Sequence, residues 1–396
     1  MSQTETVRTQ VAIVGGGPAG LMLSHLLATC GIDSVVLESR SRQAIHETVR
    51  AGILEHGTVN LLVDSGVSDR VLREGDRHDG IELRFDGESH RIDFQELGGE
   101  SVWLYPQTEV FADLAARREA DGGDVRYGVS GVAVHDAASD PRVTFTDAEG
   151  RDVELRADFV VGADGSRSHC RGLIPEDRRR RYFKEYPFAW FGILAEAPRS
   201  ADELIYANSP QGFALISQRT ETMQRMYFQC DPGESAADWD DERIWATLRE
   251  RVNGNGFELV EGPALEKVVL PFRSFVQAPL RHGKLFLAGD AAHTVPPTGA
   301  KGLNLALHDV RMLFEALDSF YTGGSEDLLD GYSERALGRV WKAQHFSSWM
   351  TSLLHAAPGE SDFDRARRRG ELDSVVSSAH GRAYLAESYT GWPDHG

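Results

Sequence analysis

Residues 9–38, TQVAIVGGGPAGLMLSHLLATCGIDSVVLE, decide the fold of this 396-residue chain. The apolar run Val11–Val14 predicts a buried parallel strand, and Leu21–Ala28 continues with the periodicity of a helix. A second apolar run, Ser34–Leu37, predicts another buried strand. The turn between the first strand and the helix carries a G-x-G-x-x-G pattern at Gly15, Gly17 and Gly20. Together these features predict one strand–turn–helix–strand unit.

This unit is typical of dinucleotide-binding proteins. The glycines permit a tight turn and let the backbone approach a pyrophosphate, whose charge is stabilised by the free N–H groups of the helix N-terminus. Glu38 lies 18 residues after Gly20, the position from which a carboxylate accepts hydrogen bonds from an adenosine ribose. A glycine turn alone is weak support for a ligand, whereas the whole unit predicts one.

Two further buried strands end in a turn that contains an acid. Phe159–Gly162 leads into Asp164-Gly165, and Leu285–Leu287 leads into Gly289-Asp290. Ligands of an open α/β sheet bind at the carboxyl ends of its strands. Each turn alone is compatible with a plain loop. Taken together in this chain order, the three turns predict a bound dinucleotide rather than a mononucleotide.

Composition excludes several classes of partner. The formal net charge of −19 argues against nucleic acid and against an anionic membrane surface, because both require basic patches. It does not exclude a small anionic substrate held by a few arginines. Three scattered cysteines are too few for a disulfide framework or a zinc site, so we expect no metal. A polar N-terminus and the absence of a long apolar run predict a cytoplasmic protein without a signal peptide or membrane span.

Hydrophobic patterning predicts an α/β chain with elements of both kinds. We expect a loop over residues 38–50 and a helix over 51–63. Alternation predicts strands over 80–94, a β-meander over 131–161 and a second sheet over 187–230. Further helices are predicted over 107–120, with Thr108 as the N-cap, and over 238–251, 302–317 and 328–355. The pattern after residue 356 is too polar for us to assign elements.

Three motifs resemble those of the class A flavoprotein aromatic hydroxylases. They are GGGPAG at 15–20, Asp164-Gly165, and GDAAHTVPPTGAKGLN at 289–304. The similarity runs nearly end to end and is closest to members of the family that act on 4-hydroxybenzoate. It includes ELIYAN at 203–208, GFAL at 212–215, SQR at 217–219 and AESY at 386–389.

The resemblance implies a domain organisation. We expect a Rossmann-like FAD-binding domain of the glutathione-reductase type, interleaved with a β-sheet substrate domain and followed by C-terminal helices. The FAD-binding domain is expected at residues 1–78, 100–183 and 273–305, and the substrate domain at 79–99 and 184–272. Residues 306–396 are expected to form a helical interface region, which implies a homodimer.

The resemblance also implies the residues that bind the cofactors. For FAD these are Gly15, Gly17, Pro18, Ala19, Gly20, Glu38, Arg50, Gln107, Asp164, Asp290, Thr298, Gly299, Leu303 and Asn304. For the nicotinamide coenzyme they are Arg50 and Arg171.

Substrate and catalytic residues follow from the same resemblance. The substrate carboxylate is expected to bind Ser217, Arg219 and Tyr227, and an arginine offers a planar fork that suits a carboxylate. The phenol oxygen is expected to meet Tyr206, which passes a proton to Tyr389 and onward toward His78. The carbonyl of Pro297 is expected to face that oxygen, and Arg225 is expected to affect the position and reduction of the flavin.

The implied function is hydroxylation of 4-hydroxybenzoate at C3 with NAD(P)H and O₂, through a flavin hydroperoxide. In this interpretation the flavin supplies the oxygen chemistry and the protein supplies position and charge. Two alternatives remain open. One is hydroxylation of a close analogue, such as 4-aminobenzoate or a substituted 4-hydroxybenzoate. The other is a flavoprotein that binds an aromatic acid without oxygenating it.

One departure from the family pattern concerns the coenzyme. Members that use NADPH have an arginine directly after the ribose-binding acid, and then a tyrosine and another arginine in the next loop. Here these positions hold Ser39, Ala44 and Thr48, although Arg40 and Arg42 lie nearby. Because a 2′-phosphate requires cationic donors, we expect NADH or dual use. A histidine that assists in relatives is replaced by Arg167.

Overall fold

The computed structural model of the protein describes residues 5–48 and 52–392. The described strands, in chain order, are β1 (Glu5–Val14), β2 (Ser34–Glu38), β3 (Ile53–Glu55), β4 (Asp76–His78), β5 (Gly80–Phe85), β6 (Glu88–Asp93), β7 (Val102–Leu104), β8 (Asp124–Tyr127), β9 (Ser130–His135), β10 (Arg142–Thr146), β11 (Asp152–Gly162), β12 (Arg180–Glu196), β13 (Leu204–Ser209), β14 (Gly212–Thr220), β15 (Met223–Cys230), β16 (Ala264–Ala278), β17 (Arg281–His282), β18 (Leu285–Leu287) and β19 (His293–Thr294).

The described α-helices are α1 (Pro18–Thr29), α2 (Arg42–His46), α3 (His56–Asp64), α4 (Arg70–Glu74), α5 (Gln107–Ala120), α6 (Asp241–Val252), α7 (Lys301–Gly323), α8 (Asp327–Leu354), α9 (Asp362–Ser377) and α10 (Ala379–Thr390). Short 3₁₀ turns lie at Cys170–Leu173, Glu176–Arg178, Ala236–Asp238 and Gly289–Ala291.

The first sheet aligns the ends of its parallel strands. Its order is β17-β18-β11-β1-β2-β8, and β9 and β10 extend it as a meander from β11. The register pairs Val14 of β1 with Leu37 of β2 and with Gly162 of β11, and Gly162 pairs in turn with Leu287 of β18. The turns that follow β1, β2, β11 and β18 therefore all open at one edge of the sheet, where ligands of such sheets bind.

The second sheet is largely antiparallel and has the order β19-β16-β12-β15-β14-β13-β5-β6. One of its faces packs against α6, where Ile216, Phe228, Ile244 and Leu248 belong to one apolar cluster. The opposite face packs against the C-terminal helices, and its cluster includes Tyr206 and residues of α8, α9 and α10. Because neighbouring side chains of a strand point to opposite faces, successive residues belong alternately to one cluster and to the other.

A third, small sheet and the long helices join the two large sheets. The small sheet has the order β3-β7-β4. Helix α7 packs against α1 of the first sheet and against α8, and α8 also contacts β13 and β16 of the second sheet. The buried hydroxyl of Tyr332 on α8 donates to the carbonyl of Leu287 at 2.9 Å. The pair α7–α8 thus spans the boundary between the sheets.

Most of the predicted elements are confirmed, and three local expectations are wrong. The strands over 80–94, the meander over 131–161 and the helix over 107–120 all form. The predicted loop over 38–50 contains helix α2, whose N-cap Ser41 accepts from the N–H of Ala44. Residues 53–55 form strand β3 before α3 begins, so only part of 51–63 is helical. Pro106, and not Thr108, is the N-cap of α5.

Residues after 356, which we left unassigned, form α9 and α10. Their N-caps are Ser361 and Ser378, whose side chains accept from backbone N–H groups of the first turn. The residue bounds of the predicted domains stay a prediction. Strand β16 crosses the expected boundary between 272 and 273, and it pairs with both β12 and β19.

A buried ion pair supports the turn that follows β18. The Nε2 atom of His293 lies 2.6 Å from Oδ2 of Asp309, and the N–H of Gly289 donates to the same oxygen at 2.9 Å. Both side chains are buried. Burial alone would lower the pKa of His293, but the Asp309 carboxylate outweighs this effect and raises that pKa above its ordinary value. The fold therefore favours the protonated imidazole.

We expect this pair to make stability depend on pH. Since the pKa of His293 is raised in the folded state, the pair stabilises the fold below the ordinary histidine pKa, and this contribution is lost as pH rises through the raised value. Asp309→Asn should therefore lower the free energy of unfolding more at pH 6 than at pH 9, as measured by urea unfolding. Asp318→Asn on the same helix is the control, and an equal loss at both pH values would contradict the assignment.

Candidate active site

A cavity of about 550 Å³ lies where the second sheet, the small sheet and the turn before α7 meet. The second sheet supplies residues of β12, β13, β14, β15 and β16. The small sheet supplies Ile53 and Leu104, and the turn before α7 supplies Pro297 and Ala300. Ala300 has a left-handed backbone with φ of 51°, which is costly for a residue with a side chain and is typical of functional turns.

The cavity face of the second sheet is built by strand alternation. Register aligns Tyr206, Leu215, Tyr227, Gly192 and Val268 in one row across β13, β14, β15, β12 and β16. The next row on the same face pairs Ser217 of β14 with Arg225 of β15. Residues far apart in sequence thus share one surface because side chains of one face repeat every second residue.

Gly192 makes room for an aromatic side chain in this row. A Cβ atom at Gly192 would lie 2.9 Å from Cε1 of Tyr227 and 3.3 Å from a methyl carbon of Val268. Real Cβ atoms do not approach so closely, so the missing side chain lets the Tyr227 ring lie across β12. The glycine therefore shapes the cavity wall.

The two predicted catalytic tyrosines are brought together. The hydroxyl oxygens of Tyr206 and Tyr389 are 2.9 Å apart, and both side chains are buried. Burial raises the pKa of Tyr206 to about 12, although hydrogen bonds with Tyr389 and with the Gly299 backbone act in the opposite direction. Burial also raises the pKa of Tyr389 well above its ordinary value. Both phenols are neutral near pH 7, so each can accept a proton only while it releases its own.

His78 is not bonded to this pair within the described part of the chain. It lies at the end of β4, is 1% exposed, and its Nε2 atom lies 3.3 Å from a carboxylate oxygen of Asp76. Its Nδ1 atom is buried without a hydrogen-bond partner among the described protein groups. A proton moving between Tyr389 and His78 therefore needs an intervening group such as water.

A buried ion pair fixes the backbone beside Tyr389. The ammonium of Lys301 donates to a carboxylate oxygen of Glu55 at 2.6 Å and to the carbonyl of Tyr389 at 2.9 Å. Burial lowers the pKa of Lys301, and the Glu55 carboxylate counteracts that shift. The pair joins β3, α7 and α10, so it positions the end of α10 that carries Tyr389.

Two arginines, Arg219 and Arg225, line the same cavity beside the hydroxyl groups of Ser217 and Tyr227. Arg219, Ser217 and Tyr227 all contribute to its wall, and their assignment to a substrate carboxylate stays a prediction. Burial lowers the pKa of Arg219 from its ordinary value. Arg225 donates to the Tyr227 hydroxyl at 3.3 Å and to Glu266 at 2.8 Å.

The glycine turn lies at the aligned edge of the first sheet. Gly15 has φ of 114°, and a Cβ atom at Gly20 would lie 1.9 Å from the carbonyl oxygen of Gly15. Only glycine fits at both positions. A Cβ atom at Gly17 would meet nothing within 4 Å, so the space above the N-terminus of α1 is open. Pro18 and Ala19 follow in the first turn of α1.

The carboxylate of Glu38 supports this turn. It accepts from the N–H of Gly16 at 2.9 Å and from the N–H of Arg40 at 2.9 Å, and it is buried. The Arg40 side chain forms an ion pair with Glu38, and Arg42 forms one with Glu119 at 2.7 Å. Both nearby cations are therefore already paired.

The acids that follow the other two strands lie at the same edge. One carboxylate oxygen of Asp164 accepts from the N–H groups of His169 and Cys170, while the other is buried without a protein hydrogen-bond partner among the described residues. Asp290 is half-buried in the 3₁₀ turn after β18. The open N-terminus of α1, the Glu38 carboxylate and this orphaned oxygen fit a dinucleotide with hydroxyl groups.

The remaining predicted cofactor residues show different environments. Gln107 begins α5, and Leu303 packs against the core in the first turn of α7. The side-chain amide of Asn304 forms hydrogen bonds with the backbone of Ile53, Glu55 and Ala300. These bonds connect β3 to the start of α7. Thr298 is buried against Thr351, and Gly299 lies under Phe346.

Arg171 donates to the carbonyls of Ser166 and Ser168 and lies over the ring of Phe275. Arg50 lies outside the described residues.

Sequence reasoning missed several residues of the cavity. Trp190, Glu266 and Lys267 line it and were not predicted. The alternation of Glu266, Val268 and Leu270 along β16 was the available signal, but it did not show which face of the strand would line the cavity. Among the described residues, no group of three or more His, Cys, Asp and Glu side chains is arranged to hold a metal ion. In the same part of the chain, no helix has the length and apolar character needed to cross a membrane.

Comparison with known proteins adds independent findings. The family model described as FAD binding domain matches residues 8–347. The chain is 46% identical over 391 residues to p-hydroxybenzoate hydroxylase of Acinetobacter baylyi, covering 98% of this chain and 96% of that protein. It is 25% identical to a probable NADH-specific resorcinol 4-hydroxylase of Rhodococcus jostii, covering 81% of this chain and 61% of that protein. The crystal structure of p-nitrophenol 4-monooxygenase from Pseudomonas putida superposes with a TM-score of 0.81 at 22% identity, covering 99% of this chain and all of the other, and shows the shared fold.

Proposed function

Because this chain belongs to the class A FAD-dependent aromatic hydroxylases, we propose that it hydroxylates 4-hydroxybenzoate at C3 to give 3,4-dihydroxybenzoate. The reaction consumes NAD(P)H and O₂. The observation that carries the proposal is that one cavity is lined by Arg219 and by Tyr206, whose hydroxyl oxygen lies 2.9 Å from that of the buried Tyr389. The relative at 46% identity, named p-hydroxybenzoate hydroxylase, supports the choice of substrate.

The spacing across the sheet suits a para-substituted ring. Tyr206 and Tyr227 occupy one row but lie two strands apart, which corresponds to about 10 Å between their backbones. A carboxylate held by Arg219, Ser217 and Tyr227 would thus leave the phenol oxygen within reach of Tyr206. In this pose the arginine neutralises the carboxylate and orients the ring.

Bound FAD supplies the hydride acceptor and the activation of oxygen in this family of enzymes. We propose that the pyrophosphate binds the turn Gly15–Gly20 and that the ribose of adenosine binds Glu38. Asp290 and the segment Pro297–Asn304 are proposed to hold the ribityl chain and the ring system. The side chain of Asn304 is already bonded to β3, so we assign it a supporting contribution through the backbone.

The tyrosine pair is proposed to remove the phenol proton. With a pKa of about 12, Tyr206 is neutral, so it cannot accept a proton without releasing its own. A proton from the substrate can pass to the Tyr206 oxygen as the Tyr206 proton moves to Tyr389 and the Tyr389 proton leaves in the same step, because the two tyrosine oxygens are 2.9 Å apart and both phenols are neutral. The resulting phenolate has an electron-rich carbon ortho to its oxygen. His78 is proposed as the later acceptor, through water, and Pro297 as the carbonyl facing the phenol.

Arg225 is proposed to couple the substrate to the cofactor. It contacts Tyr227, which we assign to the substrate carboxylate, and it forms an ion pair with the half-exposed Glu266 at 2.8 Å. Burial would lower the pKa of Arg225, but its interactions with the Tyr227 hydroxyl and the Glu266 carboxylate outweigh this and raise it. The guanidinium is therefore held charged at the cavity wall.

We propose NADH as the preferred coenzyme, with Arg171 as a contact residue and Arg50 as a second one. A 2′-phosphate would require cationic donors near α2. Within residues 38–48, the arginines Arg40 and Arg42 are paired with Glu38 and Glu119. Both would have to leave these carboxylates to bind a phosphate.

We further propose a cytoplasmic homodimer. The three cysteines are free thiols, as is usual in a reducing compartment. Tyr182 and Trp341 are both partly exposed and pack edge to face at 5.0 Å, and the neighbouring Phe183 is more than half exposed. Exposed aromatic patches are typical of interaction surfaces. Sedimentation equilibrium would show a single-subunit mass if the dimer is wrong.

The function is tested by coenzyme oxidation with the purified flavoprotein. NADH and NADPH are each supplied with and without 4-hydroxybenzoate, and products are identified by chromatography. We expect stimulated NADH oxidation and accumulation of 3,4-dihydroxybenzoate. Stimulated oxidation that yields only hydrogen peroxide would indicate that an analogue is the substrate. Absence of stimulation with either coenzyme would contradict the proposal.

Tyr206→Phe should separate binding from hydroxylation. Because the variant cannot relay the phenol proton, we expect product formation to fall at least about tenfold while FAD and substrate still bind. Stopped-flow measurement of product per turnover checks this. Tyr332→Phe, which removes another buried hydroxyl away from the cavity, is the control. Unchanged hydroxylation by Tyr206→Phe would show that the relay assignment is wrong.

Arg219→Ala should chiefly weaken substrate binding. Removing a buried guanidinium from a carboxylate site should raise the dissociation constant for 4-hydroxybenzoate about a hundredfold, with Arg219→Lys intermediate. The constant is measured from the change in flavin absorbance on titration. Arg249→Ala removes a surface arginine of α6 and should have no effect. Wild-type affinity in Arg219→Ala would exclude Arg219 from the carboxylate site.

A further inference from the structure

His355 is a buried histidine that follows the last residue of α8. Its side chain is 2% exposed, and its Nδ1 atom lies 2.9 Å from the carbonyl oxygen of Thr351. A carbonyl oxygen only accepts hydrogen bonds, so Nδ1 must carry the proton. The Nε2 atom of the neutral ring is then an acceptor with a defined direction.

This acceptor meets the indole that forms part of the cavity wall. The Nε1 atom of Trp190 donates to Nε2 of His355 at 2.6 Å. Trp190 lines the cavity and is 3% exposed. The indole has a single polar hydrogen, and this bond fixes the direction in which that hydrogen points.

The imidazole is itself held by aromatic contacts. Its centroid lies 4.6 Å from that of Phe188 at an interplanar angle of 10°, and 4.3 Å from that of Phe213 at 26°. Burial lowers the pKa of His355 to about 3, and the charges of Arg251 and Arg368 act in the same direction. The ring therefore stays neutral, and Nε2 stays an acceptor, throughout the neutral pH range.

The same end of α8 contacts both walls of the cavity. The Trp190 ring lies 5.1 Å from the ring of Tyr227, which we assign to the substrate carboxylate. One turn before His355, the hydroxyl oxygens of Thr351 and Thr298 lie 2.9 Å apart, next to Pro297. The last turn of α8 thus joins the sheet wall to the turn before α7.

We propose that His355 is a positioning residue for the aromatic acid. By fixing the Trp190 indole, it sets the orientation of the substrate ring and limits the ring substituents that the cavity accepts. This inference rests on the proposed function, because it concerns the same cavity. Without the imidazole acceptor, the Trp190 N–H would be buried without a partner, and the indole would rotate to find one.

The test compares holoenzymes of the wild type and of His355→Phe. The phenyl ring preserves the aromatic packing and removes both the acceptor for Trp190 and the Nδ1 donor to the Thr351 carbonyl, and the loss of a donor to a carbonyl is matched by the His25→Phe control. We expect the KM and the dissociation constant for 4-hydroxybenzoate to rise about three- to tenfold, with a smaller change in kcat. We also expect more hydrogen peroxide per coenzyme oxidised. His355→Gln retains one donor and one acceptor and should recover part of the affinity.

A double-mutant cycle with Trp190→Phe tests the pairing directly. Trp190→Phe removes the donor, so adding His355→Phe should then have little further effect on KM. Two residues that act independently would give additive effects instead. If His355→Phe does not fold, the cycle is repeated with His355→Asn, whose shorter side chain withdraws the acceptor from the indole.

His25→Phe is the matched control. His25 is equally buried, in α1, and its Nε2 atom lies 2.8 Å from the carbonyl of Ser65. This variant should lower stability and leave KM and product yield unchanged. Wild-type KM and yield in all His355 variants, or additive effects in the cycle, would overturn the inference while the wild type still hydroxylates. A wild type that neither binds nor hydroxylates 4-hydroxybenzoate would overturn the proposed function itself.

Discussion

The parallel register of the first sheet is the constraint on which the rest of the structure depends. One row of the register contains Val14, Leu37, Gly162 and Leu287. The carboxyl ends of these four strands therefore lie at the same edge of the sheet. The glycine turn, Glu38, Asp164 and Asp290 all follow these strands directly. Backbone hydrogen bonds, rather than side-chain contacts, thus gather the predicted cofactor residues. A shift of register by one residue would reverse the side-chain faces and bury different atoms.

The second sheet uses a different rule to build the cavity. The five strands that line the cavity, β12 to β16, pair antiparallel. Side chains alternate between the two faces along each strand, so hydroxyl, guanidinium and aromatic groups from these five strands share one surface. Gly192 provides space for Tyr227 where two large side chains in neighbouring strands would collide. The apolar cluster beneath, against α6, keeps this face rigid because interiors are closely packed.

Buried polar contacts connect the two sheets at the helices α7 and α8. Lys301 joins Glu55 to the end of α10, Asp309 joins His293 to the turn after β18, and His355 joins α8 to the cavity wall. Removing one partner of any of these contacts would destabilise the fold, because the remaining polar group would be buried without a hydrogen-bond or charge partner. These pairs therefore specify how the helices sit on the sheets, and with them the position of Tyr389.

The sequence by itself determined the elements whose signal is local. The glycine turn, the strand ends and the helix over 107–120 follow from patterns within about 30 residues, and the family resemblance supplied the candidate site residues. The sequence did not determine β3, because a short apolar stretch suits a strand and a helix alike. Nor did it determine α9 and α10, whose polar sequences lack a clear apolar stripe. Only the tertiary structure decided that Trp190 lines the cavity, that His355 supports it, and that Asn304 holds β3. These contacts join residues more than 160 positions apart in sequence, and no local pattern encodes which strand faces will meet.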